Sequence, residues 1–393
     1  MNGQQLKPGA RVQIESKALG GLIEWLKVQG YLVIGPTIRD NAIILAPIDS
    51  LKDLPKGWKE EQEAGKYRLC RRDDGAYFGH TVGPQSWKRF LHPPEIRLFS
   101  ATREGNAFKI LNNEESIPRY AFLGVRGCDL AAIHVQDRVL LQDQFVDTIY
   151  RERRRDNFVV AIHCTQTAPT CFCTSMGTGP RVQGAFDLCL TELFQPQAHR
   201  FLVEIGSAKG TEAIKALEYT EASDDFCQQA GEAVNEAAAS IQRKMETSGI
   251  RELIYRNLDS PHWNEIASRC LNCTNCTMVC PTCFCTTVQD TTDLTGAWAE
   301  RWRKWDSCFN TEFSYIHGGS VRTSAQSRYR QWFVHKLASW HDQFGSSGCV
   351  GCGRCITWCP VGIDITEEAR VFRKNENVHS ASKGLESPQS LSP

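Results

Sequence analysis

Apolar residues near the start of the chain recur with the period of a helix, and short apolar runs follow them. The helical spacing is kept by Leu19, Leu22, Ile23 and Leu26. Gly30 ends the predicted helix, because glycine is favoured just after a helical segment. Two apolar runs come next, Tyr31–Ile34 and Ala42–Ile48. The stretch from 18 to 48 is therefore predicted to be a helix followed by strands.

A strand, a helix and a second strand are predicted in the next patterned stretch. They cover Arg119–Val125, Asp129–Leu141 and Asn157–His163. Such a crossover unit should close as a right-handed pair of parallel strands. Further strands are predicted at Ala185–Leu193 and Phe201–Ile205. We therefore expect an α/β domain over residues 1–210.

Helical patterns dominate the second half of the chain. Thr211–Leu217 and about Asp224–Thr247 belong to a predicted helical bridge over residues 211–262. Two aromatic stripes keep helical spacing: Trp298, Trp302 and Trp305, then Tyr329, Phe333, Leu337, Trp340 and Phe344 before Gly345. Stripes of this kind usually form a core, so an all-α domain is predicted over 263–374. The Ser, Pro, Gln and Gly-rich tail, 375–393, is predicted to be disordered. The fold class expected for the whole chain is α+β.

Charge and composition narrow the function classes. Lys plus Arg and Asp plus Glu number 45 each in 393 residues, so the balance does not favour nucleic acid or an anionic membrane surface. The apolar runs are short for a membrane span, and the first residues lack the features of a secretory signal. Eighteen cysteines in such a chain indicate reduced thiols and bound metal rather than disulfides. We expect a cytoplasmic protein that is not an integral membrane protein.

Two cysteine runs in the predicted all-α domain share the spacing C-x2-C-x2-C-x3-C-P. The first contains Cys270, Cys273, Cys276 and Cys280, and the second contains Cys349, Cys352, Cys355 and Cys359. In two-cluster ferredoxins with this spacing, the fourth cysteine of each run binds the other cluster. We therefore assign two 4Fe-4S clusters: a first set of Cys270, Cys273, Cys276 and Cys359, and a second set of Cys349, Cys352, Cys355 and Cys280. Helices packed around two clusters would form an α-helical ferredoxin domain.

Zinc is the alternative metal for these cysteines, since four-cysteine zinc sites also use C-x2-C pairs. A zinc site needs no third cysteine two residues further on, so the spacing favours iron-sulfur clusters. A zinc-binding structural scaffold is nevertheless the rival from another functional class.

A third set of four cysteines is predicted in the α/β domain. Cys128 follows the first strand of the crossover unit and Cys164 follows the second, which places both at the carboxyl edge of one sheet. Cys171 and Cys173 lie just beyond, in a loop rich in Gly and Pro. Packing does not easily explain four cysteines at strand ends and in a loop. These four thiols could hold a third 4Fe-4S cluster.

The hexapeptide Pro-Thr-Cys-Phe-Cys-Thr occurs twice, at 169–174 and at 281–286. Its second copy leaves Cys283 and Cys285 outside the two ferredoxin-type sets. They could share a site with Cys171 and Cys173, which competes with the third set, or they could simply pack beside a cluster. The remaining cysteines show no ligand spacing and are interpreted as structural: Cys70, Cys189, Cys227 and Cys308.

Sequence motifs for dinucleotide binding, phosphate binding and catalytic zinc are missing from the sequence. There is no G-x-G-x-x-G after a strand, no P-loop and no H-E-x-x-H. The segment Phe78–Pro94 is dense in Gly and Pro and predicts a structured surface loop around a short helix. A chain with clusters but no flavin, hydride or substrate site would move single electrons, and two-electron chemistry would lie on partner subunits.

Four segments together carry a resemblance to a known family: Phe78-Gly-His-x-Val-Gly-Pro-Gln-Ser-x-Lys88, Gly127-Cys-Asp-Leu-x-Ala-Ile133, Thr170-Cys-Phe-Cys-x-Ser-Met-Gly-Thr-Gly-Pro180, and the run from Cys270 to Cys285. The chain resembles the beta subunit of cytosolic nickel-iron hydrogenases of the sulfhydrogenase type. It is also similar to the electron-transfer subunit of anaerobic sulfite reductase, a relative of that beta subunit.

The resemblance implies a non-catalytic electron-transfer subunit of a larger oxidoreductase. Its partners would be a flavoprotein subunit that binds NAD(P)H and the small and large subunits of a hydrogenase. In the sulfite reductase alternative, a sirohaem subunit takes the place of the hydrogenase module. The resemblance also carries the eight ferredoxin-type cysteines over as ligands, with Cys128, Cys164, Cys171 and Cys173 as the additional set.

Overall fold

In a computed structural model, the chain is described over residues 6–112, 116–142, 144–195 and 198–384. The strands of these residues are β1 Arg11–Glu15, β2 Leu32–Arg39, β3 Ala42–Pro47, β4 Trp58–Glu63, β5 Lys66–Arg71, β6 Glu95–Glu104, β7 Ala107–Asn112, β8 Tyr120–Arg126, β9 Phe158–Ile162, β10 Leu188–Gln195, β11 Ala198–Ile205, β12 Thr220–Glu221, β13 Thr286–Thr292, β14 Trp298–Trp305, β15 Tyr315–Ile316 and β16 Gly319–Ser320. The helices are α1 Ala18–Val28, α2 Lys88–Leu91, α3 Gly127–Leu141, α4 Thr148–Arg154, α5 Cys173–Met176, α6 Ala208–Lys215, α7 Asp224–Ser240, α8 Ile250–Arg256, α9 His262–Arg269, α10 Asn275–Met278, α11 Ala325–Val334, α12 Trp340–Phe344, α13 Arg354–Thr357 and α14 Ile365–Gly384. A 3-10 turn covers Leu51–Asp53, and a π-helical segment covers His335–Ser339.

The predicted crossover unit forms the middle of a mixed sheet. Among the described residues this sheet has eight strands in the order β12-β1-β11-β10-β9-β8-β2-β3. Strands β8 and β9 pair in parallel with α3 between them in the chain, as predicted. Parallel pairing continues to β2 on one side and β10 on the other, and the outer strands are antiparallel. The prediction of an α/β first half is therefore confirmed.

Both faces of this sheet are covered. One face packs on α1, whose four predicted apolar residues are fully buried: Leu19, Leu22, Ile23 and Leu26. The other face packs on α3 and α4, with Leu130 and Tyr150 fully buried. Strands β8 and β9 are apolar almost throughout because they are buried on both sides.

Aromatic side chains fill the core of the second half. Trp263, Phe333 and Phe372 are fully buried, and the rings of Trp263 and Phe372 are 4.3 Å apart between centroids. The second predicted aromatic stripe does lie in a helical run, formed by α11, the π-helical segment and α12. Gly345 ends that run in the left-handed conformation, with φ of 69°.

The prediction of an all-α dicluster domain is wrong. Trp298, Trp302 and Trp305 lie in strand β14 rather than in a helix, and all three are only partly buried. A spacing of four residues keeps side chains on one face of a helix, but it also keeps them on one face of a strand. A register shift between Arg301 and Trp302 interrupts the alternation of the strand, and the step of three residues from Trp302 to Trp305 suits a helix better than a strand.

A second sheet joins the two halves of the chain. Its order is β13-β14-β6-β7 in the described residues, so strands from 286–305 pair with strands from 95–112. Residues of the predicted first domain thus pair directly with residues of the predicted dicluster domain. Helix α14 continues to Gly384, past the predicted boundary at 374. The rest of the predicted tail, 385–393, lies outside the described residues.

Within the described residues, every helix is too short or too polar to cross a membrane.

Candidate iron-sulfur centres

The four thiols of the first set line one cavity. Cys270 caps the end of α9, Cys276 lies in α10, and Cys359 arrives from the second cysteine run, two residues after α13. The cavity is lined by all four cysteines, by Cys355 of the second set, and by Phe309, Tyr329 and Trp332. Cys273 is exposed, and Leu271 beside it is 63% exposed. The first set therefore lies at the surface on one side and against the aromatic core on the other.

The second set brings Cys280 from the first run to the three leading cysteines of the second run. Burial is the main cause that raises the pKa of Cys349, Cys352 and Cys355. The nearby thiol of Cys280 raises each of these pKa values further. The pKa of Cys280 instead lies well below its usual value, because a hydrogen bond with Cys283 and the charge of Lys336 outweigh burial. Cys280 is thus the thiol of this set that ionises most easily, and the thiolate is the form that binds metal.

The third set also comes together, at the carboxyl ends of β8 and β9. Burial raises the pKa of Cys171 and Cys173, and the nearby thiol of Cys164 raises both further. Gly179 lies between Cys173 and Cys128, because a Cβ at Gly179 would stand 3.3 Å from Cys173 Sγ and 3.6 Å from Cys128 N. The glycine-rich segment after Cys173 therefore allows these cysteines to approach one another.

The loop of the third set packs directly on the second cysteine run. The backbone N–H of Phe172 donates to the carbonyl of Gly351 at 2.9 Å. Cys173 and Cys128 share a buried apolar cluster with Cys352 of the second set. Gly353 has φ of +77°, and a Cβ there would lie 2.4 Å from the carbonyl oxygen of Thr170. Glycine is therefore required where the two cysteine loops meet.

Alanine at position 353 should loosen this contact. We expect Gly353→Ala to lower the free energy of unfolding by about 1–3 kcal/mol more than Gly345→Ala does. Both glycines have positive φ, but only Gly353 faces a backbone atom within 4 Å. The measurement is the denaturant midpoint of each anaerobic, metal-loaded variant. Equal midpoints for the two variants would show that the close approach of Gly353 to the carbonyl of Thr170 contributes nothing to stability.

Cys283 and Cys285 do not join Cys171 and Cys173. Cys283 forms a thiol hydrogen bond with Cys280, and Cys285 forms one with Cys308. The second hexapeptide thus lies beside the second set, as one of the two alternatives expected. Cys308, interpreted from the sequence as structural, lies next to Cys285 and was not expected there.

Two buried lysines lie near these thiols, and the sequence did not predict that either would lie beside the cysteines. Lys336 Nζ donates to Cys280 Sγ at 3.3 Å, and Lys88 Nζ donates to the carbonyl of Cys283 at 3.0 Å. Lys88 and His80 are at most 5% exposed, so the predicted surface loop over 78–94 is largely buried. Lys336 had a sequence signal, because it lies four residues from both Trp332 and Trp340 on a buried stripe.

Two buried arginines lie at the third set. Arg354 pairs with Asp129 at 2.8 Å, and both side chains are at most 4% exposed. Asp129 lies in the first turn of α3, whose N-cap is Arg126. Arg126 Nη1 lies 3.8 Å from Cys164 Sγ, and its other terminal nitrogen donates to two backbone carbonyls. Positive charge thus accompanies the thiols of the third set.

The donor chemistry of the site suits iron-sulfur clusters. Each set consists of four cysteines, the ligand that holds 4Fe-4S clusters. Buried positive charges beside the second and third sets can balance the negative charge that thiolates bring. In the described residues, no three His, Cys, Asp or Glu side chains stand close enough together to hold a single metal ion.

Comparison with known proteins agrees with this chemistry. Residues 269–363 match the 4Fe-4S dicluster domain family, so this part of the chain is an iron-sulfur dicluster domain. The chain is also 32% identical to sulfhydrogenase 2 subunit beta of Pyrococcus furiosus over 285 residues, which are 71% of this chain and 82% of the relative. The chain belongs to the sulfhydrogenase beta subunit family. It matches no solved structure.

Proposed function

We propose that this chain relays electrons between a flavoprotein subunit that binds NAD(P) and a nickel-iron hydrogenase module, in a cytoplasmic complex. The observation that carries the proposal is the arrangement of the two cysteine runs of the dicluster domain, where Cys280 lies with the second run and Cys359 with the first. When bound, 4Fe-4S clusters supply one-electron carriers. The likeness to a sulfhydrogenase beta subunit supports the choice of a hydrogenase module.

The proposal gives a role to the cysteines of the three sets and to the aromatic residues beside the first set. The cysteines of the first and second sets hold two clusters, and those of the third set hold a third. Phe309, Tyr329 and Trp332 line the cavity of the first set and keep water from its inner side. The exposed Cys273 makes the first set the part of the site that a redox partner can approach most closely.

A complex purified anaerobically through a tag on this chain tests the proposal. We expect hydrogen to reduce the clusters of the complex, and added NAD⁺ or NADP⁺ to reoxidise them. The measurement is the electron paramagnetic resonance (EPR) signal of reduced clusters after each addition. A matched complex with Cys276→Ser should lose the signal of the first set.

The electron-transfer subunit of an anaerobic sulfite or sulfur reductase is the second candidate, since the same motifs occur in that relative. If this candidate were right, sulfite would reoxidise the reduced clusters and hydrogen would fail to reduce them. That outcome would contradict the hydrogenase proposal but keep the electron-transfer role.

A further inference from the structure

Lys336 has three hydrogen-bond donors, and each reaches an acceptor beside the second set. Its ammonium nitrogen is 3.3 Å from Cys280 Sγ, 3.2 Å from Thr282 Oγ1 and 3.1 Å from the carbonyl oxygen of Gly348. The hydroxyl of Thr282 in turn donates to that same carbonyl at 2.6 Å. An ammonium group has three protons, so its capacity is fully used and its position is fixed.

The charge of Lys336 needs an anionic partner. The residue is 3% exposed, and among the described residues it forms no ion pair with a carboxylate. A buried ammonium without a partner of opposite charge would strongly destabilise the fold. Of its three acceptors, Cys280 is the one that becomes negative when it binds iron. The structure is thus arranged for a charged Lys336 beside a metal-bound thiolate.

The backbone explains how this lysine reaches the thiol. Lys336 lies in the π-helical segment His335–Ser339, between α11 and α12. A π-helical segment inserts an extra residue into a helix and changes which face the following side chains occupy, and such segments often occur at functional sites. Here the segment keeps Trp332 and Trp340 buried while Lys336 points to Cys280 from between them, with its ammonium 5.9 and 5.6 Å from their ring centres.

We propose that Lys336 raises the reduction potential of the cluster held by the second set, because a hydrogen-bonded positive charge stabilises the more negative reduced state. This inference rests on the proposed function, since it requires a cluster at Cys349, Cys352, Cys355 and Cys280. Lys336 is a positioning and tuning residue and does not itself bind iron.

The effect should be confined to one cluster. Among the described residues, no lysine or arginine donates a hydrogen bond to a thiol of the first set, where Cys359 Sγ accepts from the backbone N–H of Ile363 at 3.3 Å. Loss of the Lys336 charge should therefore change the potential of the second set and leave that of the first set nearly constant.

An EPR-monitored redox titration of the full chain, purified anaerobically, tests this inference. We expect Lys336→Met to reduce the equilibrium constant for one-electron reduction of one cluster by about tenfold, which lowers its potential by about 59 mV. Lys336→Gln, which keeps hydrogen bonding without charge, should lower the same potential. Lys336→Arg keeps the charge and should retain most of the wild-type potential.

Lys88→Met is the matched control. Lys88 is as buried as Lys336 and also lies close to the second hexapeptide, but it donates to a carbonyl and stacks on Trp305, with its ammonium 3.9 Å from the ring centre. We expect a clearly smaller change in this variant than in Lys336→Met.

Unchanged potentials in both neutral variants, with iron content equal to wild type, would overturn the role of Lys336. If Lys336→Met loses iron, the more conservative Lys336→Gln decides the question by the same criterion. A wild-type chain without any reducible cluster would instead overturn the proposed function, so the two failures are distinguishable.

Discussion

Serine in place of Cys171 should remove about four iron atoms from a wild-type total of about twelve, because the third set would lose one of its four thiolate ligands. Cys171 is 9% exposed and lies in the loop whose neighbour, Phe172, donates a hydrogen bond to Gly351 of the second cysteine run. Serine has nearly the same volume, so the fold should be retained. The measurement is iron and acid-labile sulfide per chain, with sulfide expected to fall in step with iron.

Cys189→Ser is the control for this experiment. Cys189 is fully buried in strand β10 and contacts His163, but it belongs to none of the three sets. Its replacement should leave the iron count unchanged. About eight iron atoms in wild type and Cys171→Ser alike would rule out the third cluster while keeping the other two.

The second large effect concerns which cysteines bind the same cluster. If ligation is crossed, Cys359→Ser should abolish the same EPR signal as Cys270→Ser, although these residues lie in different runs. Cys280→Ser and Cys349→Ser should likewise abolish the other signal. The physical reason is that Cys359 lines the cavity of Cys270, Cys273 and Cys276 and adds to the effect of burial in raising the pKa of Cys270 and Cys276, whereas Cys280 lies beside Cys349. Cys355 of the second set also reaches that cavity, so the cavity alone does not separate the two sets.

The reduction potential measured in Lys336→Met helps to assign each EPR signal to the first or the second set. The cluster whose potential depends on Lys336 should survive in Cys359→Ser and disappear in Cys280→Ser, since Lys336 contacts Cys280. If instead Cys359→Ser and Cys349→Ser abolish the same signal, each run holds its own cluster and the crossed assignment is wrong.

The sequence predicted those parts of the fold whose signals are local. Helix α1 and the β8-α3-β9 crossover were found because their apolar periods are clear and their strands are buried on both faces. Parallel strands place their carboxyl ends at one edge of a sheet, and this rule alone predicted that Cys128 and Cys164 lie near each other. The partners of these thiols followed from the loop just after β9.

Strand β14 shows why a part of the fold could not be predicted. Its tryptophans are spaced in a way that suits a helix as well as a strand, and its strand state depends on pairing with β13 and with the distant β6. A preference of this kind is decided by tertiary contacts and not by the local segment. The same holds for the second sheet, which joins strands from both halves of the chain.

The residues that surround the cysteines were harder to predict from the sequence than the cysteine ligands themselves. Spacing reveals ligands because the cluster constrains a short loop, but Lys336 and Arg354 reach thiols, and Lys88 reaches the carbonyl of Cys283, only through tertiary folding. A lysine on an aromatic stripe was the one local sign, and the π-helical segment that directs it has no simple sequence signature. The neighbours of Cys283 and Cys285 likewise required the structure.

The central claim is that this chain is an iron-sulfur electron carrier. An EPR-monitored redox titration of the anaerobically purified full chain, with iron, sulfide and zinc measured on the same sample, tests it most directly. We predict at least two signals of reduced 4Fe-4S clusters that appear and disappear reversibly with potential, together with equal amounts of iron and sulfide. A chain that holds zinc in place of iron, with no reducible signal, would contradict the claim and favour a structural scaffold.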